Sequence, residues 1–490
     1  MSEVYKDIAR TNVVFGGIKF LQVLVNILKT KIVAIYLGPV GVGIVTILLN
    51  IVTTLYQFTN LGIAQSSVRE LSKEKCQLKK RQIITTINYL AIILGIIGSF
   101  ICFLSANLLS DLMFGNRDYA WMIKILSFSL LFESITGTEI SIFQGLRLIK
   151  VLAVSSLISS VCTLLISIPL YSALGQDGIP YSLLLGFFIG ALVYWLIRTK
   201  KIKANKISKK EFLSIASPIL SLGIVLMLSA GIMSIFSLIT TTFINRFGSS
   251  EDVGLYSAAS TCTYSAINII IAILTSDFYP RLSGIIHKKN EAWDLVNSQI
   301  DLIISVLAPI VIVILIWPSI FLRLLYSDKF IVATTAVQIM ALSLFFRVIW
   351  HCFSFVILAE GDKRRYFIFD ACIGNGIFMI FNILGFWLNG VNGVAFSFVI
   401  SSILICAFLY LIVKRAYGFY IDKHFWKFSM PVIILSVLLY FLIRYKTLGQ
   451  YIISYILIGF LIFIWCILFI ESKTSFFKYI ICRISSKIKK

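Results

Sequence analysis

The feature that most restricts the fold of this chain is a succession of apolar runs, most of them about twenty residues or longer, divided by short segments rich in lysine and arginine. A helix rises about 1.5 Å per residue, so a run of about twenty apolar residues is enough to cross a hydrocarbon core of about 30 Å. About fourteen candidate spans follow, near 13–36, 41–66, 83–106, 121–143, 149–172, 179–197, 213–244, 253–278, 298–322, 332–358, 366–388, 391–413, 429–444 and 451–470. With 59% hydrophobic and only 13% charged residues and a mean hydropathy of +0.95, the chain is not a soluble globular protein. The expected fold is an all-α polytopic membrane protein.

The net charge of +22 would suit nucleic acid, but its distribution does not. Of the 44 lysines and arginines, 33 fall in segments on the side of the termini and six on the other side. That is the positive-inside pattern, which predicts cytoplasmic termini and argues against a nucleic-acid partner. The nine cysteines show no CxxC or CxxxC spacing, so no metal ligand set or disulfide framework is expected. HExxH, GxSxG and P-loop signatures are absent, which gives no cofactor and no ATP hydrolysis.

The chain also repeats. Leu37-Gly38-Pro39-Val40-Gly41-Val42-Gly43, followed by a span ending Val68-Arg69-Glu70-Leu71-Ser72, returns about 211 residues later as Phe247-Gly248 to Asp252-Val253-Gly254-Leu255-Tyr256, ahead of Pro280-Arg281-Leu282-Ser283. Phe143-Gln144-Gly145 similarly matches Ala359-Glu360-Gly361. Each copy holds six spans, giving two six-helix bundles in the same orientation across a central cavity, related by a pseudo-twofold repeat. The expected division is 1–200, a basic cytoplasmic linker 201–212, 213–415, and two further helices with a basic tail over 416–490.

Charges inside spans mark function, because an ammonium facing lipid costs about 2.5–3.5 kcal/mol on insertion scales. On the first span Lys19, Gln22, Asn26, Lys29 and Thr30 share one helical arc of about 100°. The second span carries a stripe that includes Asn50 and Gln57, and the eighth a matching one that includes Tyr264 and Asn268. Such stripes serve either as a hydrated cavity wall or as interhelical glue. Arg347 and His351 share a face of the tenth span, and Glu133 sits mid-span in the fourth. Glu133 is open to two roles, pairing with Lys19 or Lys29, or coupling transport to H⁺ or Na⁺. His351 is of a type that can titrate near neutral pH, but a lone histidine more often lines a cavity or packs. Asp370 and Asp277 are expected near span ends.

These residues lead to a resemblance. Tyr36-Leu37-Gly38-Pro39-Val40-Gly41-Val42-Gly43 after a basic first helix, Asn60-Leu61-Gly62-Ile63 ahead of Arg69, and Val253-Gly254-Leu255-Tyr256-Ser257-Ala258-Ala259 opening the eighth span resemble the polysaccharide-transporter branch of the MOP exporter superfamily. Within it the chain is similar to the Wzx-type flippases of O-antigen and related repeat units. The resemblance covers nearly the whole chain. It implies alternating access in the bacterial inner membrane, with an undecaprenyl-diphosphate-linked oligosaccharide as cargo moved to the periplasmic leaflet. It also implies membrane lipids, an O-antigen polymerase and glycosyltransferases as partners in lipopolysaccharide biosynthesis, and a cationic cavity to which Lys19, Lys29 and Arg347 correspond by role. Two other classes stay open: a cation-coupled multidrug antiporter of the related MATE family, whose cavity should favour acidic residues, and a membrane-embedded polyprenyl glycosyltransferase or polymerase, which should carry larger outer loops.

Overall fold

A computed structural model describes residues 3–201, 207–273, 278–444 and 458–467; the side chains of 3–17, 19, 20, 23, 200, 201, 225, 229 and 265–273 are not among those described. All regular structure among the described residues is helical, with no strand. Nine helical stretches among them are long and apolar enough to cross a membrane. Their outer faces are apolar too: along one helix Ile93, Ile96, Phe100 and Leu104 are all exposed, a stripe that water would penalise and lipid accepts. The protein is a multi-pass membrane protein.

Packing divides the chain into two compact units, 1–254 with 325–327, and 255–324 with 328–490. The first contains α1 (Glu3–Thr59), α2 (Ile63–Lys73), α3 (Gln77–Phe114), α4 (Ala120–Ser127), α5 (Ser129–Gly145), α6 (Ile149–Leu174), α7 (Ile179–Lys201), α8 (Lys209–Phe247) and the start of α9 (Ser250–Ile273). The second contains the rest of α9, then α10 (Tyr279–Ile285), α11 (Lys289–Ile316), α12 (Pro318–Leu325), α13 (Thr334–Ala359), α14 (Lys363–Arg365), α15 (Asn375–Tyr417), α16 (Lys423–Lys427) and α17 (Ser429–Arg444). A π-helical segment, Tyr366–Gly374, leads into α15. The span expected at 451–470 is described only over 458–467, and the basic tail beyond it lies outside the described residues.

Glycines set the breaks. Helix α1 is interrupted at Gly38 (φ 65°, ψ −168°), which separates the first two expected spans, and α15 at Asn389 and Gly390, which separates the eleventh and twelfth. A positive φ of this kind strains any residue with a Cβ. Close approach explains other glycines. A Cβ on Gly43 would lie 1.7 Å from the Ser250 carbonyl oxygen, and one on Gly254 would lie 2.0 Å from that of Pro39. The two repeated glycine motifs therefore touch reciprocally, backbone against backbone. Helix α8, which the repeat assigns to the second half, packs in the first unit against α1, α2 and α3. It does so through another reciprocal pair, Gly62 against the Gly223 carbonyl and Gly223 against that of Leu61.

Candidate functional site

In the first unit the polar arc of α1 lies opposite an apolar stripe. Leu21, Leu24, Leu28 and Ile35 are exposed, and on a helical wheel they fall roughly half a turn from Lys19, Gln22, Asn26 and Lys29. Asn26 is exposed as well, so the polar arc is not packed away. Lys29 is half-buried and makes no hydrogen bond or ion pair with a described residue. The side chain of Lys19 lies outside the described residues. Gln22 is tied down, since its Oε1 accepts from Ser156 Oγ at 3.0 Å, joining α1 to α6.

Next to that contact is a network around Glu133. Tyr194 of α7 and Tyr56 both lie within electrostatic reach of the Glu133 carboxylate. Tyr56 Oη accepts from Asn60 Nδ2 at 3.2 Å, and Asn60 Oδ1 accepts from Ser134 Oγ at 3.2 Å. A Cβ on Gly137 would sit 2.2 Å from the Tyr56 hydroxyl, so glycine at that position admits the phenol. The Asn60-Leu61-Gly62 motif thus positions Asn60 while Gly62 meets α8. Glu133 itself forms no ion pair or hydrogen bond with a described residue, Lys29 included.

The second-span stripe is largely committed to helix packing. Asn50 Nδ2 donates to Thr241 Oγ1 of α8 at 3.2 Å, and Thr54 Oγ1 donates to the Ser234 carbonyl at 3.4 Å. Gln57 is half-buried and makes no hydrogen bond with a described residue.

In the second unit Arg347 of α13 is held by aromatic rings. Its guanidinium carbon lies 4.3 Å from the Tyr264 ring centre, 4.9 Å from that of Phe378 and 5.4 Å from that of Trp350. Stacking on ring faces suits a planar, weakly hydrated cation. One terminal nitrogen donates to the Tyr264 hydroxyl, while Nε is buried with no hydrogen-bond partner among the described residues. His351 is half-buried and stacks on Trp350 at 5.6 Å. The side chain of Asn268 lies outside the described residues.

Sequence reasoning put Asp370 near a span end; the structure draws it into this cluster. Its Oδ1 accepts from Trp350 Nε1 at 2.5 Å and from Ser354 Oγ at 2.6 Å, and it lies within electrostatic reach of Arg347. It stands on the π-helical segment, a widened turn frequent at functional sites. The signal was an acid flanked by Ile368-Phe369 and Ala371 inside an apolar run. A second omission is Glu139, fully buried and paired with Arg198 of α7 at 2.8 Å. Arg198, one residue beyond the sixth expected span, is therefore a positive charge that does not belong to a loop. Asp277 lies outside the described residues.

Residues 12–286 match the family described as polysaccharide biosynthesis protein, which is more than half of the chain. The protein belongs to that family. Among solved structures this polysaccharide biosynthesis protein is similar to the lipid II flippase MurJ in an inward closed conformation, with a TM-score of 0.70 and 16% identity over 94% of this chain and 99% of that one. It is also similar to an inward-facing multidrug resistance MATE family transporter of the MOP superfamily, with a TM-score of 0.68 and 15% identity over 83% of this chain and 98% of that one. A MOP superfamily transporter from Pyrococcus furiosus gives a TM-score of 0.56 at 16% identity, over 84% of this chain and 95% of that one. At such identities the likeness is one of fold, shared by a lipid II flippase and a multidrug transporter. No curated protein matches the chain in sequence.

Proposed function

We propose that this polysaccharide biosynthesis protein is a flippase for lipid-linked oligosaccharide, moving undecaprenyl-diphosphate-linked, O-antigen-like repeat units from the cytoplasmic to the periplasmic leaflet of a bacterial inner membrane by alternating access. The observation that carries the reading is that spanning helices of both units hold cations with no counter-ion bond among the described residues: Lys29, with no described partner, and Arg347, whose hydrogen bond to a described residue goes to Tyr264. Neither has an ion pair to a described carboxylate, so each is suited to an anionic cargo. The sites for that cargo are Lys19, Lys29 and Arg347 for phosphate or anionic sugars, with Gln22, Asn26, Gln57 and Tyr264 supplying hydrogen bonds. Movement of the anion outward runs down a potential that is negative inside, by about 2.3 kcal/mol per charge per 100 mV, so no enzyme activity or ATP is required.

The antiporter reading keeps one specific support, Glu133, which lies among Tyr56 and Tyr194 with no ion pair to a described residue. Equilibrium binding to the purified protein separates the two. A flippase binds a polyprenyl-diphosphate oligosaccharide with an affinity that falls as salt rises, and Lys29→Ala or Arg347→Ala weakens it by about tenfold or more. Binding of lipophilic cations abolished by Glu133→Gln, with no affinity for the diphosphate, would favour the antiporter.

A further inference from the structure

The first unit contains a pocket of about 240 Å³ that uses neither Lys29 nor Glu133. Ile92 of α3, Phe132 of α5 and Phe188 and Trp195 of α7 form its walls, and Asn88, Glu139 and Arg198 form its polar end. Ile92, Phe188 and Trp195 are 43%, 41% and 46% exposed, so the mouth opens on the outer surface of the helices, where lipid lies. At the polar end Arg198 Nε donates to both Glu139 oxygens, at 2.8 and 2.9 Å. The terminal guanidinium nitrogens have no acceptor among the described residues, although the side chain is only 5% exposed. Arg198 lines the pocket, so donors it leaves unmet there are available to a ligand's acceptor atoms.

The ligand must be apolar along the walls, accept hydrogen bonds at one end and enter from the membrane. The ion pair carries no net charge, and the Glu139 carboxylate beside it disfavours a diphosphate. A head with a single phosphodiester, or ester oxygens alone, fits better. We propose that the pocket binds one membrane phospholipid, with an acyl chain between Ile92, Phe132, Phe188 and Trp195 and with head-group oxygens accepting from the terminal nitrogens of Arg198 and the amide of Asn88. The lipid comes from the leaflet on the side of the basic segment that follows α7. Trp195 at the rim suits that depth, because indole rings gather at membrane interfaces.

The test uses phosphatidylglycerol carrying a photoactivatable acyl chain, added to the full-length protein in mixed micelles, with cross-linked peptides mapped by mass spectrometry. The stretch around Phe100 and Leu104, 63% and 66% exposed on the same helix α3, reports ordinary lipid contact. A bound lipid labels the stretches 88–92 and 188–195 about tenfold more strongly than 100–104, and filling the pocket with Ala191→Phe, or with Leu192→Trp should the first variant not fold, removes the excess. Labelling that is even along α3, or that survives in a folded pocket-filled variant, overturns the proposal. So does displacement of the label by equimolar polyprenyl phosphate but not by excess unlabelled phosphatidylglycerol, which would assign the pocket to a polyprenyl tail.

Discussion

Arg347 combines two requirements that a lysine at the same position cannot meet: a flat cation to lie between the rings of Tyr264 and Phe378, and further N–H groups left to bind an anion. Arg347→Lys should therefore restore only part of the cargo affinity lost in Arg347→Ala, with the shortfall of order 1 kcal/mol, in the range of an exposed-to-buried cation–π contact. Calorimetric titration of both variants checks this. Glu139 and Arg198 make the opposite case, a pair whose burial makes it dangerous to break. Glu139→Ala leaves a buried guanidinium without its carboxylate and should cost about 3–5 kcal/mol, while Glu139→Leu with Arg198→Met recovers most of the loss. Thermal unfolding of the single and double variants in detergent decides it. Charges such as Arg347 and Glu133 are legible in the sequence because they interrupt long apolar runs. Arg198 is not, because Thr199-Lys200-Lys201 follows it and a charge at the end of a run looks like a loop charge.

At the scale of helices, the glycine motifs divide by mechanism. Gly43 of α1 is required by contact with the Ser250 carbonyl, whereas Gly390 in α15 has nothing within 4 Å of its Cβ position and is required only by its φ of 54°. Enlarging residue 43 from Ala to Val should lower the melting temperature progressively, at about 1–3 kcal/mol for overpacking. At residue 390 Ala and Val should cost similar amounts, because the penalty there is backbone strain. The positions of these motifs are legible in the sequence, but their reciprocal contact is not, since no spacing tells which carbonyl a glycine meets. Nor does a helical wheel distinguish glue from cavity: Asn50 shares its stripe with Gln57, yet only Asn50 is committed to α8.

Across the whole molecule, the helical class and the membrane are legible in hydropathy alone, because lipid tolerates few other backbones. Sidedness is an inference from charge, and it is open to a direct check. Cys76 is exposed between α2 and α3, in a segment that the positive-inside rule predicts to be cytoplasmic. A membrane-impermeant maleimide should label it in inside-out vesicles and spare it in right-side-out ones; the reverse pattern would invert the topology and the direction of transport.

The most direct measurement is the initial rate at which a polyprenyl-diphosphate-linked oligosaccharide crosses proteoliposomes, for the native protein and for a Lys19→Ala/Lys29→Ala variant that still inserts and folds. Protein-dependent translocation, slowed about tenfold or more in the variant, is the predicted result. Absence of translocation by the native protein across several glycans would contradict the account.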